Sequence, residues 1–272
     1  MLHLLRLEWL KQRNYNMFRV MAILFLVAMP SLILIWKTIN ISGDDLPPFI
    51  PSKDSIYMFP MIWQWMGYIG NWLTFFFLGF LGVLMVTNEY SNKTLRQNII
   101  TGLTRKEYFL SKFYFIVAVA LFATLYYAFW CLIYGFMHTD TIYLNTVMKH
   151  ADYVPRFFLM SFGYMSFGLL VGLVIKRTGI ALFLYLAYIM IIESILRYAV
   201  HMKLFQHKSM HFYPMNALED LAPPPYLEMA DGFAENNGFD IMLSPNEAII
   251  ASLVYISLFL LGSYRLLQRN DL

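Results

Sequence analysis

Three groups of residues in this 272-residue sequence have the types and spacing to do chemistry. Glu193 and Arg197 stand four apart inside an otherwise apolar run, with the acid first, the order that favours an ion pair along a helix. An unpaired carboxylate there costs on the order of several kcal/mol or stays protonated. The two residues read either as a self-neutralised pair reaching outward or as an intramembrane candidate for substrate contact or gating. His201, His207 and His211 alternate with Met202, Met210 and Met215, and imidazole with thioether suits copper. Methionine is abundant throughout, with 18 in the chain, so no metal is assigned to that cluster. The third group is the polar stretch 88–112, where Glu89, Thr94, Arg96, Gly102, Arg105, Lys106, Glu107 and Lys112 lie between two apolar runs.

Several catalytic patterns are missing. No G-x-x-x-x-G-K-[ST] occurs, so the chain has no P-loop with which to hydrolyse ATP. Neither H-E-x-x-H nor G-x-S-x-G is present. The expectation is a non-enzymatic protein. A single cysteine, Cys131, excludes an intramolecular disulfide framework and a Cys-rich metal site.

The elements that must position these residues follow from composition. With 59% apolar and only 14% charged residues, against roughly 25% charged in a soluble domain, the chain excludes a soluble enzyme or a nucleic-acid module. A net charge of +3 is too small to imply a polyanionic partner. A bilayer core about 30 Å thick needs roughly 20 apolar residues per helix. Six runs meet that demand, at 17–36, 62–87, 113–137, 157–175, 180–200 and 248–267. The fold class is therefore an all-α, six-span transmembrane bundle forming a single domain over 1–272.

Lys and Arg set the direction. They concentrate before the first span, between the second and third, at Lys176-Arg177, and at Arg265 and Arg269. Both termini are thus expected in the cytoplasm of a cell whose inner membrane the chain crosses, and the first span reads as an uncleaved signal anchor. Leu2, Leu5 and Trp9 share one face of a short N-terminal interfacial helix. Trp63, Trp65, Tyr68 and Trp72 crowd the outer half of the second span, where a headgroup-level aromatic belt is expected. The outer segment 201–247 is too long to be structureless, so short helices over the outer mouth are expected. Ser244-Pro245-Asn246-Glu247 starts the sixth span sharply, with a capping Ser, Pro at the first helical position and Glu three residues after the cap. Gly168 and Gly172 in the fourth span and Gly79 and Gly82 in the second permit close helix contact, most simply within one subunit.

The polar stretch has local grammar of its own. Gly102 suits a left-handed helix end, and Thr104 with Glu107 forms a capping box that opens a new helix into the third span. Leu95, Ile99 and Leu103 share one face. Such a helix lies across the membrane surface; it either offers side chains to a cytoplasmic partner or binds anionic headgroups.

This stretch, N-E-Y-S-N-K-T-L-R-Q-N-I-I-T-G-L-T-R-K-E-Y-F-L-S-K, resembles that of the permease subunits of ABC-2-type exporters. Their acidic residue, Thr, Pro-or-Gly, Arg and Lys correspond here to Glu89, Thr94, Gly102, Arg105 and Lys112, while the family's common Gly-Thr pair is Lys93-Thr94. The interfacial helix and the long outer segment before the last span are also similar. The resemblance implies a coupling helix, with Glu89, Thr94, Arg96, Gly102, Arg105, Lys106, Glu107 and Lys112 serving contact with a separate ABC-type ATP-binding subunit that carries ATP and Mg. It also implies a second permease copy, most simply as a homodimer, with a translocation path lined by the second and fifth spans. The other class of function that fits is a non-transporting assembly or sensor protein whose basic inner loop binds lipid or another partner.

Overall fold

The computed structural model of the chain describes residues 2–38, 55–100, 102–205, 208–227 and 241–269, with the side chains of Leu2, Trp36, Lys37, Thr38, Arg96 and Ile99 outside that description. All regular elements among these residues are helical. Six helices are long and apolar enough to cross a membrane: Asn16–Ile35, Met61–Ser91, Arg105–His138, Leu144–Ile175, Thr178–Leu204 and Pro245–Arg269. The chain has the length and composition of a multi-pass membrane protein. Each helix contains most of one of the six apolar runs; the differences fall at the ends, where polar caps rather than hydropathy decide.

The third span starts at Arg105, well ahead of its apolar run. Thr104 accepts the Glu107 backbone N–H at 3.2 Å, and Glu107 Oε2 accepts the Thr104 N–H at 2.9 Å. That reciprocal box satisfies otherwise orphaned donors. The sixth span begins at Pro245 with one half of that arrangement, Glu247 Oε2 accepting from the Ser244 N–H at 2.9 Å and from its Oγ–H at 2.7 Å. Pro30, inside the first span, cannot donate to the Leu26 carbonyl four residues back. Tyr126 of the third span donates its hydroxyl to that oxygen at 2.6 Å.

The second and fourth spans form the centre. Their apolar stretches are 78% and 72% buried, against 17% in the fifth. Small residues set the crossing: a Cβ on Gly168 would sit 2.4 Å from the Gly79 carbonyl oxygen, and one on Gly82 would sit 2.5 Å from that of Met165. Backbones touch there, and the close contact is within the chain. The second span winds as a π-helix over Thr74–Leu78. A carbonyl in this turn, that of Phe75, accepts the Tyr185 hydroxyl at 2.9 Å, and the tyrosine fills the notch over Gly79.

This central position overturns the aromatic-belt expectation for two tryptophans. Trp63 and Trp65 are 4% and 7% exposed, and Trp63 donates to the Val147 carbonyl at 2.9 Å. They pack inside the protein because the span that carries them is surrounded by others; Trp72 keeps an exposed face. The lone cysteine, Cys131, is also fully buried, with Sγ 3.9 Å from the Ile62 carbonyl oxygen.

Candidate functional site

Two polar assemblies occupy opposite ends of the bundle. At the first, the polar stretch makes an elbow. The second span ends at Ser91, a seven-residue helix runs over Thr94–Ile100, and Gly102 follows at φ +106°. The Leu103 N–H returns to the Asn98 carbonyl at 3.0 Å, five residues back. That is the long bond of a Schellman end, which needs the left-handed residue just before its donor. Nothing lies within 4 Å of the Gly102 Cβ position, so glycine is required there by the backbone and not by crowding.

Glu89 and Lys112, expected among the contact residues for a partner, point inward. Lys112 is fully buried; its Nζ donates to Glu89 Oε1 at 2.7 Å, to the Met85 carbonyl at 3.1 Å and to Glu8. Lys11 Nζ reaches the same Glu89 oxygen at 3.2 Å, and Gln12 donates to Glu8 at 3.0 Å. Two acids and two lysines thus close a neutral, mostly buried network joining the N-terminal helix Leu2–Arg13 to the second and third spans. Buried charges of this kind persist only when paired and hydrogen-bonded. Glu8 escaped the sequence reading. Its signal was there: it lies three residues from Leu5 on the face otherwise read as apolar, and Gln12 is its i+4 neighbour.

Arg105 is also tied down. Its guanidinium donates to the Leu267 carbonyl at 3.3 Å and to the Gln268 carbonyl, capping the end of the sixth span. Thr94 donates to the Glu89 carbonyl at 3.4 Å, and Leu95 is buried while Leu103 packs partly against the core. Position 99 and Arg96 contribute side chains that lie outside the described residues. What the elbow presents outward is Lys93, Gln97, Ile100, Gly102, Thr104, Lys106 and Glu107. Ile100 is 75% exposed, an isoleucine at the end of the elbow helix.

At the far end, the fifth span is mostly π-helical beyond Ala187, over Tyr188–Ile192 and Ile195–His201. Residues four apart no longer stack as they do at 3.6 per turn, and Glu193 does not take Arg197 as its partner. The Glu193 oxygens accept the backbone N–H groups of Met215, at 3.0 Å, and Asn216, at 2.6 Å. They cap the helix Pro214–Glu219, whose opening donors have no partner within that helix. Arg197 Nε donates to the Met210 carbonyl at 3.2 Å, and its Nη2 lies 3.3 Å from His211 Nδ1. The two side chains do not form a self-neutralising unit; both instead hold the stretch that includes Met210 and Asn216.

That segment is built as expected of its length, with short helical pieces at Lys208–Phe212 and Pro214–Glu219. Met215, Ala217 and Leu218 are buried, and Ser252 of the sixth span donates to the Ala217 carbonyl at 3.0 Å. His201 lies 2.8 Å from Ser209 Oγ, His211 lies against Arg197, and His207 is outside the described residues. Among the described residues no three His, Cys, Asp or Glu side chains converge as a metal site.

Asp220 is buried and accepts from Asn216 Nδ2 at 2.8 Å and from the Leu243 N–H at 3.0 Å. Burial, reinforced by nearby Glu219, pushes its carboxyl up to about 7, against the opposing pull of those donors and of Arg197. The folded protein then keeps a proton that the unfolded chain, with an ordinary value of 3.8, has lost. Stability from this group is full below about pH 4, falls as pH rises to about 7, and is flat above. Unfolding of the detergent-solubilised protein should show a loss of about 2–3 kcal/mol between pH 5 and pH 8 from Asp220. Asp220→Asn should remove that part of the slope, and an unchanged slope would count against the buried acid.

No family model matches the sequence, and no curated protein matches it either.

Proposed function

We propose that the chain is the transmembrane permease subunit of an ATP-driven exporter of the ABC-2 type, set in the inner membrane with both ends in the cytoplasm. In this reading the elbow is the surface on which a separate ATP-binding subunit docks, and two copies of the chain enclose the translocation path. ATP and Mg belong to the docked subunit, which supplies the hydrolysis that this sequence has no P-loop to perform.

The observation that carries the reading is the mechanical state of the elbow. It is clamped to the N-terminal helix and spans two and three through Glu8, Glu89 and Lys112, and to span six through Arg105. A push on Ile100 is therefore passed to three spans and to the N-terminal helix. Glu89, Lys112 and Arg105 act in this reading as positioning residues, and Lys93, Gln97, Ile100 and Lys106 as the contact face. At the other end, a cavity bordered by the second and fifth spans supports the expected placement of the path.

The test begins with pull-down from native membranes. A nucleotide-binding ATPase should accompany the chain, and Ile100→Asp should weaken that association about tenfold or more, the equivalent of one buried isoleucine side chain. Gly102→Pro, or Arg105→Ala with Glu107→Ala, should lower the ATPase activity that the complex supports while the protein still inserts. Unchanged stimulated ATPase in these variants, or a native preparation in which no ATPase ever accompanies the chain, rejects the reading in favour of an assembly or sensor role.

A further inference from the structure

The far end encloses a cavity of about 250 Å³ between the second, fourth and fifth spans and the outer helix Pro214–Glu219. One wall is aromatic: Trp72 and Phe75 meet edge to face at 5.6 Å, and Phe75 continues to Tyr164 at 6.1 Å. The polar groups around it are nearly all committed. Asn71 donates to the Glu219 backbone carbonyl at 3.3 Å and accepts the Tyr164 hydroxyl at 3.0 Å. Glu193 is occupied by two backbone N–H groups, and Arg197 turns its donors to the Met210 carbonyl and His211. Among the described residues, no hydrogen bond or ion pair reaches the Glu219 carboxylate, which lines the same space.

We propose that this cavity binds a small organic cation, its ammonium head held between the Glu219 carboxylate and the faces of Trp72 and Phe75. Arg197 acts on this carboxylate only at a distance and does not pair with it, whereas an ammonium against aromatic faces supplies a direct partner while keeping its alkyl shell out of water. Burial holds the Glu219 carboxyl above its usual range, with Arg197 pulling the other way, which is the condition of an acid short of a partner. A metal ion fits the site poorly: Glu193 already spends both oxygens on the outer helix, and one free carboxylate is too few ligands for a bare divalent ion. The volume suits a molecule the size of choline or a single-ring ammonium, at the lower edge of ordinary ligand pockets.

The inference does not rest on the exporter reading, because binding is measured without ATP or a second kind of subunit. Purified full-length protein in lipid nanodiscs is titrated calorimetrically with benzyltrimethylammonium. Choline and its uncharged carbon isostere, 3,3-dimethylbutan-1-ol, then serve as competitors. The expected result is saturable binding displaced by choline and not by the alcohol. Glu219→Gln should weaken it at least about tenfold and Trp72→Leu about fivefold, the latter within the range of a partly desolvated cation–π contact. Glu219→Gln removes an unpartnered charge, so its thermal transition should not fall. Should it fall, Trp72→Leu, at a position 44% exposed, decides. Absence of binding at 10 mM probe, equal displacement by the alcohol, or unchanged affinity in Trp72→Leu overturns the proposal.

Discussion

Lys112→Met should cost about 3–5 kcal/mol and free the N-terminal helix from the bundle, the usual consequence of leaving buried charges without their partner. Lys112 is the hub of the charge network: it faces Glu8, Glu89 and the Met85 carbonyl with no exposure to solvent. Without it, two buried carboxylates confront each other with only the partly exposed Lys11 nearby. They respond by taking up a proton or by separating, and separation means undocking of Leu2–Arg13. Amide exchange over that helix should rise sharply in the variant, and the thermal transition should drop. Combining Lys112→Met with Glu8→Gln and Glu89→Gln should recover most of the loss, because it removes the stranded charges along with the hub. A single variant as stable as the parent would show that the network contributes little.

The second large effect is steric. Gly168→Ala should prevent the second and fourth spans from closing, at a cost above about 3 kcal/mol, the upper range for inserting an atom where neither side can yield. The obstacle is the Gly79 carbonyl oxygen at 2.4 Å, backbone in the middle of a helix that cannot rotate away as a side chain would. Gly82→Ala meets the Met165 carbonyl oxygen at 2.5 Å and should behave alike. Gly179→Ala has nothing within 4 Å and is the matched control, expected within about 1 kcal/mol of the parent. Thermal-shift size-exclusion profiles of the three variants check this directly. Monodisperse, fully stable Gly168→Ala protein would mean that the crossing is looser than its geometry.

The contrast between these two sites marks what a sequence of this kind discloses. Features governed by neighbours along the chain were legible: the six apolar runs, the box at Thr104–Glu107, the Ser244–Glu247 helix start, and the glycine that ends the elbow helix. Each depends on at most a few consecutive residues and on hydrogen bonds that close locally. The glycines were legible as a chance of close contact, but only packing shows which backbones meet. Long-range partners were hidden. Glu8 and Lys112 lie 104 residues apart, and an acid on a short amphipathic helix looks the same whether it faces water or a buried lysine. The tie from Arg105 to the end of the sixth span was hidden because the carbonyls it caps belong to the other end of the chain. Of the two readings open for Glu193 and Arg197, the mutual pair fails for a subtler reason. The rule for residues four apart assumes α-helical winding, and nothing in the residue types of the fifth span announces that the turn widens there.

The buried setting of Cys131 has a practical corollary for spectroscopy. Maleimide and nitroxide reagents attack an accessible thiolate, and the chain's one native thiol lies fully shielded against the Ile62 carbonyl. An introduced cysteine at an outward position such as Gln97 or Lys106 should then take the label in the otherwise wild-type background. Distances between two such labels introduced in one chain could be read without first stripping the protein of its own sulfhydryl.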